Sequence, residues 1–448
     1  MLPRSQPAYW MYSVLLFLSH VWTPVQAGVI PSYRELSTSH IFSRDMTSQT
    51  FRSTWQNPTD TLSILLIIGG DIVLQALAQL SGRTVTPVAF SFGWVAYSFN
   101  TLKSVVGDGR LMPPPDYNAK VINAKNGYTR DNKSWVLGRL LRDFEHSLPG
   151  DIGLCVTVFE AVKVGDELVG IPSIDGLWIS GIFIIVLQLC IAAIPIGLSQ
   201  DWGIMLVTVV GTGLCLMTGM LPQWRLEKWK CRRNSKKVVC LTGGNGKRHV
   251  MVIIGNGHGL DLEDLAAAES PRETRDVEQT SMFRGLPTAY WITQLASLIL
   301  ALLWIVLLIT VTALEENAWY LLAVGSIGMI QNVICAGARR ATGTTGIRLE
   351  KIEEIKGKKV MDTLMDVELA YKNVGNSLIK EFFPNGMRPA EIAWWEGKRS
   401  QYDGEREEKR PESWKGRVEV SPRASQARTE HNGSEQPKTT AKGSGQKR

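Results

Sequence analysis

Six long apolar runs constrain this chain more than anything else in it. They cover residues 61–82, 85–106, 176–198, 202–222, 286–313 and 318–338. Each is about as long as the roughly 20 residues a helix needs to cross hydrocarbon. Within a pair the runs are a few residues apart, and between pairs they are dozens apart. The pattern predicts a mainly α fold, a polytopic transmembrane bundle of three helical hairpins. Each hairpin would return the chain to the face it left, so all the long polar segments would share one side of a membrane.

Composition supports this only through its distribution. The 448 residues are 44% hydrophobic and 20% charged, which alone would pass for a soluble protein. The apolar residues are gathered into blocks and the charges fill the gaps. The six cysteines lack the paired spacing of a disulfide framework or a zinc site. Cys190, Cys215 and Cys335 lie within apolar runs and read as small hydrophobes.

Two signals about orientation conflict. Residues 1–27 read as a signal peptide, with Arg4, an apolar stretch from Tyr9 to Trp22, and Val25-Gln26-Ala27 as a cleavage site. Cleavage would place the polar segment 28–60, and with six spans every long loop, outside. The charges point the other way. Lys103, Arg110, Arg225, Lys228, Lys230, Arg232, Arg233, Lys236, Lys237, Arg339 and Arg340 flank spans on the long-loop side, whereas the short-loop side has Arg83 against Asp201, Glu315 and Glu316. Basic flanks stay cytoplasmic. Either residues 1–27 remain as an additional N-terminal helix, or one run of the first hairpin fails to span. The broader charge evidence favours cytosolic loops and C-terminus. Asn132-Lys133-Ser134 is a glycosylation sequon, and a sugar there would reverse this orientation.

The long segments predict a small α+β domain built from two loops. In 107–175, Lys120 to Thr129 alternates as a strand. Asp131 to His146 places Leu137, Leu140, Leu141 and Phe144 on one helical stripe, capped by Asp131 or Asn132, and Leu154 to Val164 is rich in β-formers. In 223–285, Val238–Thr242 and His249–Ile254 flank a Gly-rich turn and read as a hairpin, with a short helix following Asp261. In the helical C-terminal segment 339–398, residues 358–382 carry a seam of Val360, Leu364, Val367, Tyr371, Val374 and Leu378. That helix either docks on the soluble domain or offers its seam to a protein partner. Trp394-Trp395 suggests an anchor at the bilayer interface. Residues 399–448, polar and poor in aliphatics, read as a disordered tail.

Few residues carry a chemical signal. Asp71 falls within a span, where a carboxylate costs about 2.5–3.5 kcal/mol on the insertion scale. With Gln75 and Asn100 it forms a candidate set of intramembrane polar groups, either lining a pathway or clamping helices together. Gly255, Gly257 and Gly259 stand between a strand and a helix, a setting for a weak anion-binding turn, although the acidic residues that follow favour a plain tight connection. Gly243-Gly244-Asn245-Gly246-Lys247 lacks the spacing of a phosphate loop. The basic cluster 225–237, with Trp224 and Trp229, follows a span directly and reads as a membrane-surface anchor rather than a nucleic-acid surface.

Several stretches carry a resemblance: Phe90-Ser91-Phe92-Gly93-Trp94-Val95-Ala96-Tyr97, Gly107-Asp108-Gly109-Arg110-Leu111-Met112-Pro113, Asn234-Ser235-Lys236-Lys237, and Gly255-Asn256-Gly257 running into Leu260–Ala266. Over roughly residues 60–400 the chain resembles a group of uncharacterised multi-pass membrane proteins from filamentous ascomycete fungi. The resemblance implies membrane residence and brings no activity, cofactor or site residue with it. The expectation is therefore an integral protein of the plasma membrane or an endomembrane, a non-enzymatic sensor, receptor or scaffold with a cytosolic α+β domain. The alternative is a transporter or channel with Asp71 in its pathway. The lipid bilayer is the expected partner. No cofactor, metal or nucleic acid is expected, and nothing in the sequence sets an oligomeric state.

Overall fold

In the computed structural model, residues 68–107, 109–162, 170–268, 282–283, 286–314, 317–408 and 429 are described. Residues 1–27, 28–60 and most of 399–448, with the expectations that fall on them, lie outside this set. Four long helices form the bundle: α4 (Gly176–Ser199), α5 (Gly203–Gly219), α8 (Thr288–Thr312) and α9 (Ala318–Gly337). Three of them, α4, α8 and α9, are long and apolar enough to cross a bilayer alone. The fourth, α5, bends by 40° into the short α6 (Pro222–Lys228). Their lipid-type surfaces expose Phe183, Val186, Leu295, Leu302, Val306 and Ile309, as helices solvated by hydrocarbon do.

The first pair of runs departs from the hairpin expectation. Where two spans were expected, two half-length helices occur, α1 (Gly70–Leu80) and α2 (Trp94–Val106). Residues 82–93 between them are non-helical, and 86–93 are buried throughout. Sequence spacing could not reveal this, because a buried non-helical segment is as apolar as a buried helix. Gly69 and Gly93 cap the two half-helices at φ of 90° and 98°, conformations that favour glycine. The two N-termini touch: a Cβ on Gly93 would lie 2.5 Å from the Ile68 carbonyl oxygen.

The soluble domain is one six-stranded mixed sheet, ordered β2-β1-β4-β5-β3-β8. Its strands are β1 (Lys120–Asn123), β2 (Thr129–Asp131), β3 (Leu154–Ala161), β4 (Val238–Thr242), β5 (His249–Ile254) and β8 (Leu349–Gly357). The short pair β6 (Met282–Phe283) and β7 (Leu286–Pro287) forms a separate ladder. Both expected loops contribute, and so does the chain after the last span: β8 pairs antiparallel with β3 along its whole length. This shared sheet fixes the parity of crossings. β3 precedes α4 and pairs in parallel with β5, which follows α5; β8 follows α9. Each helix pair therefore brings the chain back to the face it left.

One sheet face packs on α3 (Trp135–Phe144), whose Leu137, Leu140 and Leu141 join the core shared with the bundle. The other is covered by α10 (Val360–Ala370) and α11 (Val374–Phe382). The expected single helix over 358–382 is thus broken, with Asn373 at φ 68°, and its apolar seam packs against the sheet, buried from Leu364 to Leu378 and half-buried at Val360. Trp394, at the end of α12 (Pro389–Trp395), is buried with Met361 and Met365 rather than placed at a bilayer. Residues 399–408, expected within the disordered tail, form α13, held by Arg406 to Asp366 at 2.7 Å.

Buried charges fasten domain to bundle. Arg139 of α3 pairs with Asp116 at 2.7 Å and donates to the Ala336 carbonyl of α9 at 2.6 Å. Arg340 pairs with Asp175, the N-cap of α4, and donates to the Gln79 carbonyl of α1. Breaking such a buried pair from one side costs about 3–5 kcal/mol.

Candidate functional site

Two features stand out, one inside the bundle and one at its soluble end. Inside, the segment Thr86–Phe92 descends between α4, α5 and α9. Non-helical backbone at membrane depth is tolerated only where its polar groups find partners within the protein. Here side chains supply them. Gln188 Nε2 donates to the Phe90 carbonyl at 2.6 Å and to the Val324 carbonyl at 2.8 Å. Asn332 Nδ2 donates to the Ala89 carbonyl and to Ser91 Oγ, and Thr86 Oγ1 donates to the Gly219 carbonyl. Small residues let the helices close on the segment. A Cβ on Gly211 would lie 2.7 Å from the Phe90 ring, one on Gly219 2.8 Å from Thr86 Cβ, and one on Gly328 would overlap the Phe90 carbonyl. Phe90, Trp304 and Trp94 stack beneath it.

The C-terminal ends of both half-helices lie at the soluble end of the bundle. Lys228 of α6, buried, donates Nζ to the carbonyls of Ala78, Gln79 and Ser81 and so caps α1. Arg83 donates to the Pro172 carbonyl beside the start of α4. Trp224 and Trp229 also pack inward, against the expectation of a surface anchor. Trp229 closes on Gly82, Gly170 and Gly346, and Trp224 is 1% exposed.

Where α1 and α2 meet the soluble domain, a cavity of about 540 Å³ opens. Its walls come from six places in the chain: Leu74 of α1; Tyr97, Asn100, Thr101 and Ser104 of α2; the stretch Arg110–Pro115; Asn132–Val136 at the start of α3; Glu227, Lys228 and Lys230; and Leu265 with Ala268. Pro113-Pro114-Pro115 gives it a rigid apolar flank. Lys133 and Lys230 supply positive charge, and Arg110 donates to the Ala268 carbonyl at 2.8 Å. Glu227 Oε2 accepts from the Leu111 and Met112 N–H groups at 2.8 and 2.9 Å. Burial beyond the bend in α5–α6 pushes its carboxyl up to about 7, against those hydrogen bonds. Two buried donors on the walls, Tyr97 Oη and Trp135 Nε1, have no hydrogen-bond partner among the described residues.

The sequence-derived candidates separate. Asn100 is exposed on the cavity wall. Asp71 is exposed in the first turn of α1, where the helix dipole favours a carboxylate, and half-buried Gln75 lies one turn on; neither lines the cavity. The turn Gly255, Gly257, Gly259 uses its N–H groups internally, donating to the carbonyls of Lys237, Ser235 and Gly255 respectively. The helix after it, α7 (Leu262–Ala267), is capped by Asp261. Sequence reasoning passed over Glu227, Tyr97 and Trp135. The one usable signal was an acid immediately before a lysine at a span's end, masked there by a basic cluster. Among the described residues, no group of three or more His, Cys, Asp or Glu could hold a metal. Comparison with protein-family models, curated proteins and solved structures finds no match.

Proposed function

We propose that this polytopic membrane protein is a non-enzymatic receptor for an amphiphilic ligand, bound in the 540 Å³ cavity between its re-entrant half-helices and its α+β domain. One observation carries the reading: a cavity of ligand size at the membrane boundary, apolar along Leu74, Leu111 and the prolines, basic at Arg110, Lys133 and Lys230. An anionic head and a short apolar body suit that division. Binding would press on α2, the proline stretch and α3 together, and α3 lies under the sheet. The domain is proposed to face the cytosol, as the basic flanks favour. The Asn132 amide is buried and bonded at both ends to Ser134, an unsuitable sugar acceptor.

The test is binding of a radiolabelled single-chain amphiphile with an anionic head to the purified full-length protein, with the uncharged alcohol of equal length as control. Saturable binding that prefers the anion and is lost in Ser104→Phe, which fills the cavity, supports the reading. Equal binding of both probes, or unchanged binding by Ser104→Phe, overturns it. The broken half-helices with Asp71 in the first turn favour a second reading, a transporter or channel. Proteoliposome flux abolished in a folded Asp71→Asn variant would select it.

A further inference from the structure

A second cavity, of about 320 Å³, lies at another corner of the domain, and the receptor reading does not use it. Its walls are Glu145 and His146 at the exit of α3, Lys247, Arg248 and His249 from the β4–β5 turn, and Arg339. The last residue sets it beside the end of a spanning helix. Arg339 comes two residues after α9 ends at Gly337, and its neighbour Arg340 is bonded to the N-cap of α4. The cavity therefore opens at headgroup level.

Its charge is out of balance. Lys247, Arg248 and Arg339 bring three cations against the single carboxylate of Glu145, which accepts from Tyr117 Oη and lies 3.9 Å from Lys247 Nζ. The guanidinium of Arg248 donates to the Pro149 carbonyl and that of Arg339 to the Glu145 carbonyl, neutral partners that orient the groups without cancelling their charge. His249 supplies an independent sign. It is 5% exposed, and its Nε2 lies 2.8 Å from the His146 carbonyl oxygen, which can only accept, so Nε2 carries the proton. Nδ1 is then a buried lone pair with no partner among the described residues. The two imidazoles stand 4.7 Å apart.

The geometry points to a phosphate-binding site: a phosphate group enters this cavity, its oxygens meeting Lys247, Arg248 and Arg339 and its hydroxyl donating to His249 Nδ1. Three cations on one cavity wall exceed what one planar carboxylate can use, and a tetrahedral oxyanion has enough acceptors for all of them. The group could arrive on a lipid headgroup or free in solution, and the experiment separates the two.

Full-length protein in nanodiscs of phosphatidylcholine, with or without phosphatidic acid, is titrated with radiolabelled inorganic phosphate. Saturable binding in phosphatidylcholine alone is expected. Its loss when phosphatidic acid is present assigns the site to the headgroup, and its persistence assigns it to free phosphate. Arg339→Gln and Lys247→Gln should each weaken binding by about tenfold. Lys247 is half-exposed, so its variant keeps the test valid should the Arg339 variant misfold. Ser104→Phe should leave phosphate binding unchanged, which separates this site from the amphiphile cavity. Absence of saturable phosphate binding in either disc, or unaltered affinity in Lys247→Gln, overturns the proposal.

Discussion

Gly328→Ala tests the re-entrant core most sharply. Gly328 sits in α9 where the helix meets the Phe90 carbonyl, and an added methyl would overlap that oxygen and lie 2.6 Å from Gln188 Nε2. One obstacle is backbone and the other is the amide that satisfies it, so neither can swing aside without breaking the 2.6 Å bond between them. Alanine itself favours the helix by about 1 kcal/mol over glycine. Against this stand about 1–3 kcal/mol of overpacking and about 1–3 kcal/mol for a buried carbonyl left without a donor. The net expectation is a loss of about 3 kcal/mol. Gly213→Ala is the control, since nothing lies within 4 Å of a Cβ there, and it should be neutral or stabilised by up to about 1 kcal/mol. Equilibrium unfolding in mixed micelles, followed by tryptophan fluorescence, reads both. If Gly328→Ala is as stable as Gly213→Ala, residues 86–92 do not pack between the helices as described.

Three further outcomes follow from the same geometry. Gln188→Leu should cost about 2 kcal/mol by the same assay, because the Phe90 carbonyl loses its donor and hydrogen bonds between membrane helices are individually modest. The contribution of Glu227 to wild-type stability should fall as pH rises from about 4.5 to about 7. Glu227 has a folded pKa above its unfolded value, so its contribution is intact below the unfolded pKa and is lost through the folded one, by about 3 kcal/mol at most. Glu227→Gln should flatten that slope, and a slope unchanged in the variant would assign it elsewhere. Arg340→Gln should destabilise by about 3–5 kcal/mol and loosen domain from bundle, seen as faster proteolysis between them, since it leaves the Asp175 carboxylate without its cation.

The sequence revealed elements better than connections. α4, α8 and α9 were legible because unbroken aliphatic runs have few other uses, and β4 and β5 because Val-rich stretches bracket a glycine turn. The apolar seam of Val360, Leu364, Val367, Tyr371, Val374 and Leu378 was visible as a seam, though not the break at Asn373 that divides it. The first pair misled for a physical reason. Thr86, Ser91 and Asn100 are tolerable in a span, and the polar partners that make a non-helical path possible, Gln188 and Asn332, lie about a hundred and more than two hundred residues away. The Trp224–Trp229 cluster misled for a similar reason, because the glycines that receive Trp229 come from three separate segments. β8 was missed because Leu349–Gly357 alternates charge with isoleucine weakly, as an edge strand does. The cavity could not be read at all, since its walls gather from six places.

Which face Thr84 occupies tests the whole account most directly. In a simple hairpin, the connection at 83–84 would lie across the membrane from Lys125; with a re-entrant segment, both lie on the same face. Single cysteines at Thr84, Lys125 and Trp202, in a background lacking the six native cysteines, would be challenged with a membrane-impermeant maleimide on sealed, oriented vesicles. All three native side chains are exposed. The prediction is that positions 84 and 125 label together from one face and position 202 from the other. Labelling of position 84 together with 202 would contradict it.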